Sequence, residues 1–372
     1  MRRQCSGHAT TTGLVRFRLE PRMTPMPVAE QMFRLLIGTA IALLLGAAIM
    51  MAAGHDPLVG YAALYRGAFG SLRALQASLN KAVPIALCAL GIAMAYRARL
   101  WNIGAEGQLY FGAFAAAGTG LTLPEGTPAV VAVPLVIVGG MIAGAFWALI
   151  AAIPRALLGM NEILSTLMLT YIAILWVSYL VDGPWADPSA FSFPYSRPLI
   201  DEARIGRLVG NVHGGVLAVL VGALFLWVLD RGLRFGYELR VTGDAPRAAV
   251  YGGIPSKTTL IMALALGGML AGLAGAIEVA ASIGRLQTGL SPGYGFMGIL
   301  VAWLAGGRPL AIILIAVLYA GLVNGGFALQ VSGIPPAIGT ILQAVLLLSA
   351  LATLNLGHYR IRHVPGHVGH NS

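Results

Sequence analysis

Charged residues are scarce in this chain of 372 residues, where Asp, Glu, Lys and Arg together make up only 10%. Soluble globular domains carry roughly 25% charged residues, so the composition argues against a soluble protein. Acidic residues are scarcer than basic ones, with 14 Asp and Glu against 24 Lys and Arg, and the formal net charge is +10. In a soluble protein this excess would suggest nucleic acid. In a membrane protein it has a simpler origin, discussed below, and we expect no nucleic-acid partner.

Cysteine is also nearly absent. Cys5 and Cys88 are the two in the chain, too few and too badly spaced for a disulfide framework or a metal site. The sequence also lacks a phosphate-binding glycine loop, a nucleophile elbow and a zinc-type His-Glu pair. These absences predict no enzyme, no metal and no cofactor. If ATP drives the protein, another chain must bind that ATP.

Long apolar runs are abundant. Hydrophobic residues make up 58% of the chain, and its mean hydropathy is +0.80. The pattern predicts an all-α polytopic membrane protein with about ten transmembrane helices, in contact with membrane lipid. The predicted spans are residues 33–53, 79–96, 103–121, 129–153, 162–181, 214–229, 259–280, 294–306, 310–329 and 335–354.

The flanking segments complete the predicted organisation. Residues 1–31 are expected to form a disordered basic cytoplasmic tail, residues 32–355 the membrane domain, and residues 356–372 a second cytoplasmic tail. With ten spans, both termini lie on the same side of the membrane. On that side fall 17 of the 24 basic residues, against 7 on the other side. The positive-inside rule therefore predicts a cytoplasmic N-terminus and C-terminus.

Residues 231–258 form the longest basic segment between two predicted spans. A short helix is expected from Ala245 to Tyr251, with Asp244 as its N-cap and Pro246 in its first turn. Two interpretations are open. The segment either docks on another protein or is only a loop that its charge keeps inside.

Ionisable groups within apolar spans are expensive and therefore functional candidates. Glu106 either faces a cavity or a helix partner, or it sits near the positive end of a helix that Asn102 caps. Glu278 either lines an aqueous pathway or reaches the outer interface, and Asn324 favours an interhelical hydrogen bond. Phe296 and Trp303 share a helical face that suits either a planar ligand or packing. Small residues form another face on the seventh span, which is suited to close helix packing: Gly267, Gly268, Gly272 and Gly275.

Three stretches carry a resemblance to a known family. Residues 99–108 read RLWNIGAEGQ, residues 161–171 read NEILSTLMLTY, and residues 243–254 read GDAPRAAVYGGI. Together they resemble the membrane permeases of bacterial ABC importers in the branched-chain amino acid, ribose and nucleoside superfamily, and most closely its nucleoside branch. The sequence departs from that pattern at Thr170 and Asp244, where Asn would be expected.

The resemblance implies a permease subunit that forms the solute pathway for nucleosides in a bacterial plasma (inner) membrane. It implies three protein partners: an ATP-binding subunit, a second permease subunit that is a different chain, and an extracytoplasmic solute-binding protein. The expected pathway residues are Glu106, Gln108, Glu278, Phe296 and Asn324. The expected ATPase-coupling residues are Gly243, Asp244, Arg247, Ala248, Ala249, Gly253 and Ile254.

Two alternatives remain open from the sequence. The same machine could carry a simple sugar or a branched-chain amino acid. A protein of another class, an ion-coupled secondary transporter, would use Glu106 or Glu278 as its proton site.

Overall fold

The computed structural model describes residues 16–21, 27–191, 193–357 and 359–364. Helices dominate these residues, and four short strands accompany them. In chain order the elements are β1 (Arg16–Pro21), α1 (Val28–Ala52), α2 (Pro57–Phe69), α3 (Leu72–Arg97), α4 (Ala105–Thr122), α5 (Ala129–Leu158), α6 (Glu162–Asp182), a 3₁₀ turn (Asp201–Ala203), β2 (Arg207–Val209), β3 (Val212–His213), α7 (Gly215–Gly232), α8 (Arg234–Asp244), α9 (Pro246–Tyr251), α10 (Ser256–Ile277), a π-helical segment (Glu278–Ile283), α11 (Tyr294–Leu304), α12 (Pro309–Val331), α13 (Pro336–Leu356) and β4 (Tyr359–Val364).

The all-α polytopic class is confirmed. Within the described residues, eight helices are long and apolar enough to cross a membrane: α1, α3, α5, α6, α7, α10 with its π-helical segment, α12 and α13. The other two predicted spans are also helices. However, α4 has 18 residues and α11 only 11. The N-terminal ends of these two helices meet each other, as described below.

The chain divides into two compact units, residues 1–57 with 341–372, and residues 58–340. In the first unit α1 packs against the end of α13, and β1 pairs antiparallel with β4, with Arg16 opposite Val364. The predicted disordered tail, 1–31, therefore contains a strand and the start of α1, and the predicted tail 356–372 contains β4. Residues 1–15, 22–26, 358 and 365–372 of those tails lie outside the described residues.

Helix α10 lies at the centre of the second unit, and the small-residue face predicted on it is confirmed. A Cβ added at Gly267 would lie 2.7 Å from the carbonyl oxygen of Gly91 on α3. One at Gly272 would lie 2.8 Å from the Cα of Gly144 on α5, and one at Gly275 would lie close to the backbone of α4. Three neighbouring helices thus approach α10 closely enough that no side chain fits between the backbones.

Two segments between the predicted spans contain regular structure. Residues 57–69, after the first span, form helix α2. Residues 182–212, between the fifth and sixth predicted spans, contain a 3₁₀ turn and most of a β-hairpin, in which β2 pairs with β3 through Gly210-Asn211. Gly210 has a φ of +58°, which favours glycine in a two-residue hairpin turn.

The predicted short helix in 231–258 is confirmed as α9, which begins at Pro246 and ends before Gly252. The N-cap assigned to Asp244 is wrong. Ala245 occupies the cap position without a side-chain hydrogen bond, because Asp244 is instead the last residue of the preceding helix α8. Its carboxylate accepts hydrogen bonds from Arg99 at 2.9 and 3.2 Å.

Candidate functional site

A polar cavity of about 340 Å³ lies at the end of the second unit where α3 and α12 meet the β-hairpin. Small-molecule sites in proteins span roughly 300–1,000 Å³, so the cavity is large enough for a small solute. Its polar lining residues are Asn80 and Lys81 of α3, Arg207, Asn211 and His213 of the hairpin, Glu278 and Ser282 of the π-helical segment, Tyr294 of α11 and Asn324 of α12.

Hydrogen bonds from α3 hold the hairpin over this cavity. The Asn80 side chain donates to the carbonyl oxygen of Asn211 at 2.7 Å and accepts from the backbone N–H of His213 at 3.1 Å. One turn earlier, the Gln76 side chain accepts from the backbone N–H of Asn211 at 3.4 Å. The side chains of Asn211 and His213 are thus positioned by α3 rather than by the hairpin alone.

Glu278 and Lys81 bring opposite charges into the cavity from helices far apart in sequence. Glu278 starts the π-helical segment, a geometry frequent at functional sites. Its carboxylate accepts one hydrogen bond, from Ser282 at 3.3 Å. The Lys81 ammonium lies 4.8 Å from the centroid of the Phe327 ring and, among the described residues, makes no ion pair with a carboxylate. Both charged groups therefore keep hydrogen-bonding capacity that a bound solute can use.

His213 places an unpaired donor in the wall of the cavity. The side chain is buried, and its Nδ1 accepts a hydrogen bond from the backbone N–H of Gly215 at 3.1 Å. Burial lowers the pKa of His213 below its ordinary value of 6.5, so the neutral imidazole is favoured. Because Nδ1 is the acceptor, Nε2 carries the proton. Nε2 is buried without a partner among the described residues, a cost that a solute acceptor would relieve.

The structure separates the five residues predicted to line the pathway. Glu278 and Asn324 line the cavity. The Asn324 side chain also donates a hydrogen bond of 3.2 Å to Ser78 of α3, which is the kind of interhelical hydrogen bond predicted for it. Glu106, Gln108 and Phe296 do not line it. Their role in a pathway stays a prediction.

Glu106 and Gln108 have partners close by. The Glu106 carboxylate accepts a hydrogen bond of 2.6 Å from the backbone N–H of Gly295, which joins the start of α4 to the start of α11. Gln108 exchanges two hydrogen bonds, of 2.9 and 3.2 Å, with the amide of Asn102. Asn102 therefore does not cap the helix in the predicted way, because Gly104 occupies the N-cap of α4.

The two aromatic residues predicted on one face of α11 have different surroundings. Trp303 packs against Trp101, with ring centroids 5.0 Å apart, and against Tyr96 at 6.5 Å. Phe296 is partly exposed. The packing interpretation therefore accounts for Trp303.

The opposite end of the same unit carries the predicted coupling segment. On α9, Arg247, Ala248, Val250 and Tyr251 are exposed, whereas Ala249 is fully buried. Of the two alanines predicted to take part in ATPase coupling, Ala248 therefore lies on the outer surface of α9 and Ala249 packs inward. The exposed Asp244 carboxylate accepts hydrogen bonds from Arg99 and thereby raises the pKa of Arg99. This ion pair links the last residue of α8 to the segment that follows α3.

Helix α3 connects the two ends. Lys81 lies in the cavity, and Arg97 lies beside α8. Arg97 follows Lys81 by 16 positions, which at about 1.5 Å of rise each correspond to roughly 24 Å along the helix. Helix α10 likewise runs from beside α9 to Glu278. The two helices that carry Lys81 and Glu278 into the cavity thus both reach the end of the unit where α8 and α9 lie.

Sequence reasoning missed seven polar residues of the cavity: Asn80, Lys81, Arg207, Asn211, His213, Ser282 and Tyr294. A local signal existed for the hairpin, since Gly210-Asn211 between short apolar stretches is typical of a two-residue turn. No local signal joins Lys81 to Glu278. As for metal, no group of three or more His, Cys, Asp or Glu side chains in the described residues could hold an ion.

Comparison with known proteins identifies the family. Residues 74–351 match the family described as the permease component of branched-chain amino acid transport systems. No solved structure matches the chain.

Three relatives are similar over most of their lengths. The glucose ABC transporter permease protein TsgB13 of Haloferax volcanii is 32% identical, covering 93% of this chain and 94% of its own. The nucleoside ABC transporter permease protein NupB of Lactococcus lactis is 31% identical, covering 84% and 88%. The guanosine ABC transporter permease protein NupP of Bacillus subtilis is 30% identical, covering 89% and 94%.

Proposed function

Because the chain belongs to the family of ABC transporter permease components, we propose that it forms the pathway for nucleosides in an importer. Two of the relatives described above are permeases for a nucleoside and for guanosine, and each aligns over more than 80% of both chains. The alternative of an ion-coupled secondary transporter has no support in this family.

The polar cavity is the proposed solute site. Ribose hydroxyls and the polar edges of bases are neutral donors and acceptors, and the cavity offers matching groups: the Nε2–H of His213, the amides of Asn80 and Asn324, and the Glu278 carboxylate. The unpaired Nε2 of His213 is the single observation that carries this assignment. A buried donor without a partner is costly, and a bound solute would supply the missing acceptor.

The exposed face of α9 is the proposed docking surface for the ATP-binding subunit. Arg247, Ala248, Val250 and Tyr251 project outward there, and exposed aromatic and arginine side chains are typical of interface centres. The other coupling residues act differently. A Cβ at Gly243 would meet the backbone of Ala98 at 3.0 Å, so this glycine lets α8 approach the end of α3. Gly253 has a φ of +69° and shapes the turn after α9.

The proposed importer also implies an orientation in the membrane and two further partners. The α9 end and both termini would face the cytoplasm of a bacterial cell, and the hairpin would face outward, where a solute-binding protein delivers its cargo. A second permease subunit, a different chain, would complete the pathway. We expect this chain to catalyse no covalent chemistry.

A hexose is the second candidate solute, favoured by the similarity to the glucose permease. Hydroxyl groups of a sugar would satisfy the same cavity donors and acceptors. The branched-chain amino acids are a poorer match, because the cavity lining is mainly polar whereas those side chains need an apolar pocket.

Uptake measurements decide between these solutes. The permease would be expressed with the transporter genes encoded beside it, in cells that lack their own nucleoside uptake. We expect radiolabelled guanosine or uridine to accumulate in an ATP-dependent way, with competition from unlabelled nucleosides and none from glucose. Accumulation of glucose alone would overturn the nucleoside assignment and leave the permease assignment standing.

Co-purification in mild detergent tests the docking surface. We expect the ATP-binding subunit to remain with the native chain and to be lost when Ala248 and Tyr251 are both changed to Glu. A matched control, Leu208→Glu, places a carboxylate at an exposed position of the hairpin on the opposite end. Equal recovery of the ATPase with all three chains would contradict the assignment of α9.

A further inference from the structure

A groove between α7 and α12 combines an apolar part with a basic part. The apolar part, of about 410 Å³, is lined by Leu220, Ala223, Leu224, Trp227, Pro309, Leu310 and Ile313. The basic part, of about 710 Å³, contains Arg97, Asp230, Arg231, Arg240 and Arg308. Trp227, Pro309 and Leu310 line both parts, so the two are continuous. The groove lies at the end of the unit that carries α8 and α9, away from the polar cavity.

The basic part has a surplus of positive charge. Asp230, its single carboxylate, is already paired with Arg97 through two hydrogen bonds, and it lies 3.8 Å from Arg240. Arg231 and Arg308 have no carboxylate partner in the part of the chain that the structure describes. The Arg231 guanidinium lies over the Trp227 ring, 5.2 Å from its centroid. Two guanidinium groups are therefore available to an anion.

The first turn of α12 adds to this attraction. Pro309 is its first residue, and Leu310 and Ala311 follow in the wall of the basic part. The first backbone N–H groups of a helix have no partner within the helix, and the helix dipole is positive there. Arg308 immediately precedes this turn, so two independent sources of positive potential meet at one place.

The apolar part is open to the surroundings of the protein. Leu220, Leu224 and Leu310 are 52%, 59% and 78% exposed, and they lie on helices that are long and apolar enough to cross a membrane. Trp227 stands where the apolar and basic parts meet. Tryptophan is enriched at that level of a bilayer, between the acyl chains and the headgroups.

We propose that this groove binds an anionic phospholipid, with the headgroup phosphate at Arg231 and Arg308 and an acyl chain along Leu220, Leu224 and Leu310. Basic pockets between membrane helices are suited to such headgroups. A free phosphate would use the arginines but not the adjoining apolar part. A zwitterionic lipid would fill the apolar part without neutralising the surplus charge.

Native mass spectrometry of the full chain, released from a neutral detergent, tests the proposal. The probes are long-chain phosphatidylglycerol, long-chain phosphatidylcholine, short-chain dihexanoyl phosphatidylglycerol and inorganic phosphate. We expect the long-chain anionic lipid to bind with one-to-one stoichiometry and in preference to the other three. Equal binding of the two long-chain lipids would overturn the proposal. Displacement of the lipid by inorganic phosphate would identify a plain anion site instead.

Two double variants locate the site. The double variant Arg231→Gln with Arg308→Gln should bind the anionic lipid with roughly 25-fold lower affinity. Each arginine near a headgroup contributes about 5-fold to that affinity. The matched control, Arg66→Gln with Arg73→Gln, removes the same charge from exposed positions away from the groove and should leave binding unchanged. An equal loss in both double variants would show a nonspecific charge effect and overturn the proposal.

The assembled transporter provides a further test. Lipid should still accompany the complex with its ATP-binding and second permease subunits, since the groove faces lipid. If lipid binds the separate chain and is absent from the complex, the groove is an interface with another subunit, and the lipid assignment is wrong.

Discussion

Two buried carboxylates, Glu106 and Glu278, illustrate how differently the same residue type is used within one unit. Each lies in the first turn of a helical segment, and each is less than a tenth exposed. Glu106 accepts a short hydrogen bond from the backbone N–H of Gly295, which joins the start of α4 to the start of α11, and it lines none of the cavities described above. Glu278 has only a long hydrogen bond from Ser282 and faces a polar cavity with Lys81. We therefore expect the number and quality of its hydrogen-bond partners, rather than its burial, to decide whether a carboxylate stabilises the fold or binds a solute.

The largest expected effect is on uptake in Glu278→Gln. Hydrogen bonds to charged groups contribute about 1.5–3 kcal/mol, so solute uptake at low concentration should fall by roughly 10- to 150-fold. Thermal stability in detergent should not fall, since the carboxylate has few partners in the fold. Glu125→Gln, in an exposed loop, is the control and should transport normally. Unchanged uptake in Glu278→Gln would contradict the proposal that the Glu278 carboxylate binds solute.

The reverse pattern is expected for Glu106→Ala. Its removal leaves the buried N–H of Gly295 unpaired, which should lower the free energy of unfolding by about 1–3 kcal/mol. Uptake per folded molecule should be largely retained. Thermal unfolding and uptake, both normalised to folded protein, check this result. Glu106→Gln keeps an oxygen acceptor and should recover part of the lost stability, which a purely charge-based role would not allow.

Acidification should affect the cavity end through His213. Because burial lowers its pKa in the folded protein below the unfolded value near 6.5, the unfolded chain binds more protons at acid pH. Stability is therefore fully present above about pH 6.5 and declines as the pH falls below it, by at most about 1.4 kcal/mol per pH unit.

Thermal unfolding of wild type and His213→Gln between pH 7.5 and 5.5 checks this prediction. The wild type should lose more stability than the variant, since glutamine does not titrate. Glu278, Lys81 and Arg207 share the cavity and remain in both proteins, so their contributions cancel in the difference. Parallel pH profiles would contradict a role for His213 burial.

The smallest effect is expected for a third carboxylate, Asp244, which is exposed. Arg99→Gln removes its hydrogen bonds and should cost less than about 1 kcal/mol, because exposed ion pairs contribute little. Asp244→Asn should have a similar effect, and the effect of the double variant should not exceed that of either single one by much. A loss in Arg99→Gln as large as that in Glu106→Ala would mean that burial does not separate the two kinds of pair.

Much of the fold could be predicted from local sequence. All ten predicted spans are helices, and the glycine face on α10 packs as its spacing indicated. The N-cap at Asp244 was missed because α8 and α9 follow each other almost without a gap, so a residue that resembles a helix start is in fact a helix end. The hairpin was missed because two- and three-residue strands give too little alternation to recognise.

The sequence by itself determined the class of protein, the spans and the family. Each of these depends on composition or on motifs within a few tens of residues, because a bilayer requires every spanning segment to satisfy its own backbone. Only the tertiary structure decided which polar residues share a cavity. Lys81, His213, Glu278 and Asn324 come from four separate elements, and their proximity depends on how closely glycines allow α3 to approach α10. No local pattern encodes that distance, and so the sequence could not distinguish Glu278 in the cavity from Glu106 at a helix junction.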